Sequence, residues 1–279
     1  MKLGYRRYAT RVKDVHGSNN LLIDFKPRRS DSVVYMNSNI DVTNFVKYMD
    51  ELKKKYEYIT YFHGIAFIMA KTIYSRPYLN RFIQNRRMFM HNDVSLAFVA
   101  KTEFKDESVE YLTVLKFKDD DTIFDVGKTI KEKVDRIRNK SNDGGANDVV
   151  DIVGKLPTPI RVCVVGVLKW IDKIGYLPQG IIDGNIYYSS AILSNLGTFK
   201  VGGIYHNLTN FGTSSMLITF GEIKQVGNKY FMEMGATLDE RIADGFYMCK
   251  ALKLIEQMFA DPSVLEENVS KKVKYKASK

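Results

Sequence analysis

Apolar residues recur along this chain with two different periods, and each period predicts a different kind of element. Over residues 42–52 they lie three or four apart, which predicts a helix that Asp41 or Thr43 can cap. Residues 61–74 are apolar nearly all round, as in a buried helix, and Pro77 follows them. Further helices are predicted over residues 123–140, 160–174 and 243–260.

Other stretches are short, rich in Val, Ile, Leu and Phe, and typical of strands. Residues 93–104 and 108–117 flank a charged turn and predict a hairpin. Later strands are expected over residues 186–193, 214–223 and 229–237, with a two-residue turn, Gly227-Asn228, between the last two. Residues 141–145, Ser-Asn-Asp-Gly-Gly, predict a loop near the middle of the chain. The predicted fold class is an α/β or α+β two-layer sandwich, in which helices pack on a mixed sheet.

Composition restricts the class of protein without indicating a function. The 279 residues suffice for one large domain, and 45% hydrophobic with 27% charged residues is ordinary for a globular protein. The N-terminus carries no apolar signal segment and no apolar run is long enough to span a bilayer, so we expect a cytoplasmic protein without a membrane partner. Cys163 and Cys249 lie in apolar stretches and are expected in the core; they predict neither disulfides nor a metal site.

The net charge of +10 raises the question of nucleic-acid binding. The basic clusters, such as Arg6-Arg7 and Lys53 to Lys55, are scattered along the chain, and no nucleic-acid-binding motif surrounds them. A solvated surface explains them, and we expect no nucleic-acid partner. A positive field would instead favour small anionic ligands.

Three short segments are more specific than the periodicity. Residues 194–199 are Ser-Asn-Leu-Gly-Thr-Phe, after a predicted strand, and residues 239–245 are Asp-Glu-Arg-Ile-Ala-Asp-Gly, before the last helix. Residues 38–43, Ser-Asn-Ile-Asp-Val-Thr, lead from a strand into a helix. The first two segments resemble the I-S-N-L-G and D-H-R-x-x-D-G motifs of the dihydrolipoyl acyltransferase core of 2-oxo acid dehydrogenase complexes. The second is also similar to H-x-x-x-D-G of chloramphenicol acetyltransferase, and the third resembles the opening of the family's domain.

The resemblance implies a chloramphenicol acetyltransferase-like domain over residues 28–267. Residues 1–27 would form an N-terminal extension packed on that domain, and residues 268–279 a basic and frayed C-terminal tail. The lipoyl domain of the dihydrolipoyl acyltransferases is not expected here. In this family the compact unit is a homotrimer with active sites at the subunit interfaces, which predicts a homotrimer for this chain.

The same resemblance implies a coenzyme A-dependent acyl transfer to a small-molecule thiol, hydroxyl or amine acceptor, without a metal. Ser194 would hydrogen-bond the oxyanion of the tetrahedral intermediate. Asp244 would support the structure through an ion pair with an N-terminal arginine, for which Arg28 and Arg29 are the candidates. The motif histidine, which is the general base of the family, is replaced here by Glu240.

This replacement leaves two functions open. A thiol has an ordinary pKa of about 8.5, against about 6.5 for histidine and about 4.3 for glutamate, so glutamate accepts the proton less readily by about 3 kcal/mol. His206, in a loop between Ser194 and the next strand, is the candidate replacement base. One hypothesis is therefore an acyltransferase that uses Glu240 or His206, and the alternative is a catalytically inactive trimeric homologue that binds ligands or acts as a scaffold.

Overall fold

The computed structural model describes residues 6–101, 110–138 and 152–276 of the chain. Its strands are β1 (Ala9–Arg11), β2 (Val33–Asp41), β3 (Arg81–Gln84), β4 (Arg87–His91), β5 (Ser95–Lys101), β6 (Glu110–Lys116), β7 (Ala191–Asn195), β8 (Met216–Val226) and β9 (Lys229–Asp239). Its helices are α1 (Gly17–Phe25), α2 (Thr43–Lys55), α3 (Tyr61–Ser75), α4 (Ile123–Arg138), α5 (Thr158–Ile174), α6 (Gln179–Ile182) and α7 (Gly245–Ala260).

The predicted mixed sheet is confirmed, and it has six strands in the order β2-β9-β8-β7-β5-β6. Strand β7 runs parallel to both of its neighbours, while the remaining pairs are antiparallel. The predicted hairpins are present as β5–β6 and β8–β9. A second sheet of three strands, β1-β4-β3, carries the N-terminal segment.

Helices α2, α3, α4 and α7 cover one face of the six-stranded sheet and enclose the main core. The core joins Phe45 of α2, Phe67 of α3, Ile130 of α4 and Leu254 of α7 to strand residues such as Leu193. Because side chains alternate across a strand, Leu193 faces these helices and Ile192 faces the other side, where a smaller cluster lies. The two-layer arrangement therefore matches the predicted fold class.

Polar side chains set the beginnings of these helices. The Asp41 carboxylate accepts the Thr43 amide at 3.0 Å, so that α2 begins at Thr43. Asp244 caps α7 by accepting the Tyr247 amide at 2.7 Å, and α7 therefore begins two residues later than the sequence predicts.

Several sequence-based expectations are wrong in detail. Residues Ile186–Tyr188 form a 3₁₀ turn before β7, because the Asn185 side chain accepts the Tyr187 amide and starts the turn. Cys163 and Cys249 are exposed and do not lie in the core, since each lies on the solvent side of its helix. The loop at 141–145 and the turn between β5 and β6 lie outside the described residues.

The C-terminal segment is packed against the domain through residue 276, and the prediction of a frayed tail is wrong there. Val269 is fully buried, and its amide donates to the Asp121 carbonyl at 2.9 Å. The fully buried ammonium of Lys71 in α3 donates to the Asn268 carbonyl at 2.8 Å and lies 3.5 Å from the Glu267 carboxylate. The last residues thus supply the partners of a cation inside the helical layer.

A buried carboxylate, that of Asp239 at the end of β9, connects the end of this strand to the segment of residues 26–32. Arg241 binds it through two nitrogens, at 2.8 and 2.7 Å, and also reaches the Lys26 carbonyl. The Ser32 hydroxyl donates to it at 2.9 Å, and the guanidinium of Arg29 lies 3.8 Å away. Burial lowers the pKa of Arg29 to about 10, which leaves it charged at neutral pH. Two buried cations therefore share one anion.

We predict that Asp239→Ala lowers the free energy of unfolding by about 3–5 kcal/mol, because it leaves two buried guanidinium groups without their anion. Urea unfolding followed by circular dichroism measures the loss. The matched control is Asp24→Ala, which breaks an exposed pair with Arg86 and should cost less than about 1 kcal/mol. A loss below 1 kcal/mol for Asp239→Ala would contradict the structural role of this carboxylate.

Candidate active site

Ser194 lies at the carboxyl end of β7, beside a cavity of about 830 Å³. The parallel register places it next to Thr219 of β8, which pairs in turn with Gly235 of β9. The cavity opens between the start of α3, the helix α4 and the ends of β5 and β7. Its lining is mostly aromatic and aliphatic with a few polar groups, as is usual for small-molecule sites. The lining residues are Lys53, Tyr58, Thr60, Tyr61, Phe62, His63, Phe98, Val99, Ile130, Lys131, Val134, Asp135, Leu193, Ser194, Asn195, Leu196, Thr198 and Phe199.

Glu240 lies about five strand positions away from Ser194 within one chain. Ser194 is level with Gly235, and Glu240 is five residues farther along β9 and its extension. At about 3.4 Å per residue, the two are about 17 Å apart along the strands. The chain therefore does not bring its two principal candidate residues together by itself.

The Glu240 side chain is held in place by the N-terminal segment. Its carboxylate forms an ion pair with the Lys26 ammonium, and its amide donates to the Ser32 carbonyl at 2.9 Å. The side chain remains about 29% exposed. A carboxylate in this position is accessible from outside the chain, although Lys26 occupies one of its oxygens.

His206 lies in the segment that crosses the face of the sheet opposite the helices. This segment touches the strands by backbone contact: a Cβ atom on Gly235 would lie 2.4 Å from the Ile204 carbonyl oxygen. The His206 amide donates to Thr237, and its imidazole Nδ1 lies 3.0 Å from the Asn207 carbonyl oxygen. The imidazole is exposed, and His206 is not among the described residues that line the Ser194 cavity.

Asp244 does not form the expected ion pair with Arg28 or Arg29 in this structure. Its carboxylate caps α7, and Arg29 binds instead near Asp239 and to the carbonyls of Thr209 and Gly212. The ion pair with an N-terminal arginine that was expected for Asp244 is thus formed by Asp239. Arg28 forms an exposed pair with Asp31.

His63 is the cavity residue whose position the sequence did not indicate. It begins α3 as part of a capping box, in which its Nδ1 accepts the Thr60 amide at 3.2 Å. Burial lowers its pKa to about 4, so the imidazole is neutral at pH 7. Because Nδ1 accepts, the proton of the neutral ring lies on Nε2. His63 can therefore donate a hydrogen bond from Nε2, and its Nδ1 is not free to act as a base.

Two lysines and one aspartate, Asp135, line this mainly apolar cavity and give it a net positive charge. The Lys53 ammonium lies 3.4 Å from the centre of the Tyr61 ring, whose hydroxyl donates to Asp50 at 2.5 Å. Burial lowers the pKa of Lys53. Lys131 of α4 lines the cavity on the other side. Cations beside aromatic rings suit an anionic ligand that also carries flat or apolar groups.

The described residues lack two further features. They contain no group of three or more His, Cys, Asp or Glu side chains placed to hold a metal ion. None of their helices is long and apolar enough to cross a membrane.

The chain shares its fold with solved structures that include acetyltransferases. The dihydrolipoamide acetyltransferase of Azotobacter vinelandii is 14% identical over 91% of this chain and 94% of its own, with a TM-score of 0.57. A truncated catalytic core of the 2-oxoacid dehydrogenase multienzyme complex from Thermoplasma acidophilum is 17% identical, over 91% and 99%, with a TM-score of 0.57. A chloramphenicol acetyltransferase is 11% identical, over 90% and 99%, with a TM-score of 0.59. No protein-family model and no curated protein sequence matches the chain.

The low pKa of His63 makes stability depend on pH. Its pKa is about 4 in the folded chain and near 6.5 when unfolded, so the unfolded state binds more protons between these values. Stability should therefore fall as the pH falls below about 6.5, by about 2 kcal/mol between pH 7 and pH 5 for this group.

We expect His63→Gln to remove this contribution to the pH dependence of stability. The variant should keep the capping box of α3, since glutamine at this position also accepts the Thr60 amide. Urea unfolding at pH 7 and pH 5 measures the difference. The exposed His16→Gln variant is the control and should keep the slope of the original protein. An unchanged slope in His63→Gln would contradict the burial argument.

Proposed function

We propose that this protein is a coenzyme A-dependent acyltransferase, with active sites shared between the subunits of a homotrimer. The observation that carries the proposal is the position of Ser194. It stands at the carboxyl end of β7, on a large cavity, in a chain that has the fold of acetyltransferases. Folds alone do not fix functions, so the chemistry of this cavity has to support the proposal.

The cavity suits coenzyme A and an acyl acceptor in size and charge. A volume of about 830 Å³ is large enough for a drug-sized ligand. Lys53 and Lys131 would attract the phosphates of coenzyme A, while the aromatic walls suit its adenine or an apolar acceptor. A net charge of +10 would steer the same anion toward the protein.

In the proposed reaction the acceptor, a thiol, hydroxyl or amine, attacks the carbonyl carbon of an acyl-coenzyme A thioester. Its proton passes to a base, and the carbonyl oxygen becomes an oxyanion to which the Ser194 hydroxyl donates a hydrogen bond. The carbon–sulfur bond then breaks, and coenzyme A leaves as a thiolate that takes up the proton. Nε2–H of His63 is a second donor on the same cavity, available to polarise a carbonyl group.

The separation of Ser194 from Glu240 supports a site made by two subunits. A distance of about 17 Å along the strands excludes direct cooperation within one chain. The Azotobacter acetyltransferase has been investigated for the roles of one serine, one histidine and one asparagine in its mechanism. In a trimer of this chain, Ser194 of one subunit and Glu240 of the next would take the serine and histidine positions.

The pair between Glu240 and Lys26 favours a second candidate function, an inactive homologue that keeps the cavity for binding. Glutamate is a weaker base than histidine by about 3 kcal/mol, and the Lys26 ammonium occupies one of its carboxylate oxygens. Such a protein would bind coenzyme A or the acceptor without turnover. Activity measurements separate the two functions.

The first test measures thiol release from acetyl-coenzyme A against a panel of amines, alcohols and dihydrolipoamide. We predict activity in a species of three 32.0 kDa chains by light scattering, and a loss of about 10²–10³-fold in Ser194→Ala. Ser18→Ala, an exposed serine far along the chain, is the matched control and should leave turnover unchanged. A monomer, or full activity in Ser194→Ala, would contradict the shared-site proposal.

The second test concerns the base. If Glu240 is the base, Glu240→His should raise turnover by up to about a hundredfold. The gain in turnover should be largest when Glu240→His is combined with Lys26→Met, because Lys26 would otherwise repel the imidazolium. If His206 is the base, Glu240→His should do little and His206→Ala should abolish activity. Background turnover in every variant, together with coenzyme A binding by calorimetry, would favour the inactive homologue.

A further inference from the structure

Helix α5 carries an apolar stripe on its outer surface. Ile160, Cys163, Val167 and Trp170 are three, four and three positions apart, so they lie on one face of the helix. The exposed fractions are 52% for Ile160, 50% for Val167 and 62% for Trp170. We call these four residues the outer stripe. An exposed apolar face of this kind on a helix indicates a surface that a membrane or another protein covers.

The helix is attached to the chain along a neighbouring side, and the exposed fractions of the outer stripe show that it faces solvent. Leu168 and Ile171 pack against a cluster that contains Leu177 and Tyr188. The Asp172 carboxylate accepts the amide of Gln84, in β3, at 2.6 Å. The helix also ends in a regular way, with Gly175 in the left-handed conformation. Exposure of the stripe is therefore a property of the fold.

The charges of α5 that face solvent are all positive. Lys169 and Lys173 are exposed and lie beside the outer stripe, while Arg161 is half-buried and bonds to Gly154 and Thr158. Asp172 is the one acidic residue of the helix, and it is buried against Gln84. The outer surface of α5 thus combines apolar side chains with cations and presents no carboxylate.

We infer that the outer stripe of α5 and its flanking lysines dock the protein on an anionic lipid surface. An apolar helical face bordered by lysines, with a tryptophan among its exposed residues, is typical of helices that lie in the plane of a membrane interface. The helix has 17 residues and does not span a bilayer, so the contact would be peripheral. The lysines would pair with acidic headgroups while the stripe enters the region below them.

Charge decides against a two-fold contact with a second copy of the chain as the occupant. In a two-fold contact each α5 would meet the same surface of its partner. Lys169 and Lys173 of both copies would then be brought together, with no carboxylate of either helix to neutralise them. An anionic surface supplies the complementary charge that a second copy lacks.

Trp170 is the single tryptophan of the chain, so its fluorescence reports on this surface directly. We expect a shift of emission to shorter wavelength when the full chain is mixed with vesicles of phosphatidylcholine and phosphatidylserine at 3:1. Vesicles of phosphatidylcholine alone should bind at least tenfold more weakly, and 0.5 M NaCl should reverse most of the binding.

Two variants with the same total charge change provide the decisive comparison. Lys169→Glu combined with Lys173→Glu should weaken binding to the acidic vesicles at least tenfold. Lys54→Glu combined with Lys55→Glu, on the exposed end of α2, should change it less than threefold. The exposed Val167→Asp change, checked for an unaltered urea midpoint, should also weaken binding at least tenfold.

Three results would overturn the inference. A shift that depends on protein concentration without vesicles would show that a second copy covers the stripe. Equal weakening by the two lysine pairs would show attraction by net charge alone. No shift with acidic vesicles, or binding that Val167→Asp leaves unchanged, would show that the stripe does not enter lipid.

Discussion

The buried Asp239 carboxylate is the interaction on which the arrangement of the candidate site depends. It ends β9, and it holds Arg241, Ser32 and Arg29 around a point from which water is excluded. Charges in such a place need both partners and hydrogen bonds, because desolvation opposes them individually. Glu240 lies between two members of this network, so its backbone has little freedom. The network thus fixes where the carboxylate of Glu240 leaves the chain, about five strand positions from Ser194.

The sheet then imposes a second constraint. Strands β7 and β8 run parallel while β9 returns antiparallel, so the end of β7 and the end of β9 point in opposite directions. Ser194, near the end of β7, and Glu240, directly after β9, therefore do not meet in a single copy. If two copies associate with the end of β7 in one against the end of β9 in the other, Ser194 and Glu240 would line one site. Under this model, the proposed chemistry depends on how subunits associate.

Sequence alone predicts the elements whose signals are local. The apolar periodicity of α2, α3, α4 and α7 and the hairpin β8–β9 correspond to observed elements, because these segments bury one face or form a tight turn. The position of His63 on the Ser194 cavity could not be predicted in this way, since sheet pairing between distant segments creates the cavity. The packed C-terminal segment was also not predictable, because its lysines suggest solvent while Val269 occupies the core. The exposure of α5 was not predictable either, because its apolar composition predicts a buried helix. In the structure, one apolar face of α5 is exposed.

The dependence of Lys71 on the last residues has a consequence for the order in which the protein can fold. During synthesis α3 emerges long before the Asn268 carbonyl that receives its buried ammonium, because 197 positions separate Lys71 from Asn268. Strand β2 likewise waits for β9, its partner from nearly two hundred residues later. Such distant contacts slow folding and leave apolar surface open in the meantime. The nascent chain therefore has to leave the buried ammonium of α3 without its carbonyl partner until residue 268 has been made.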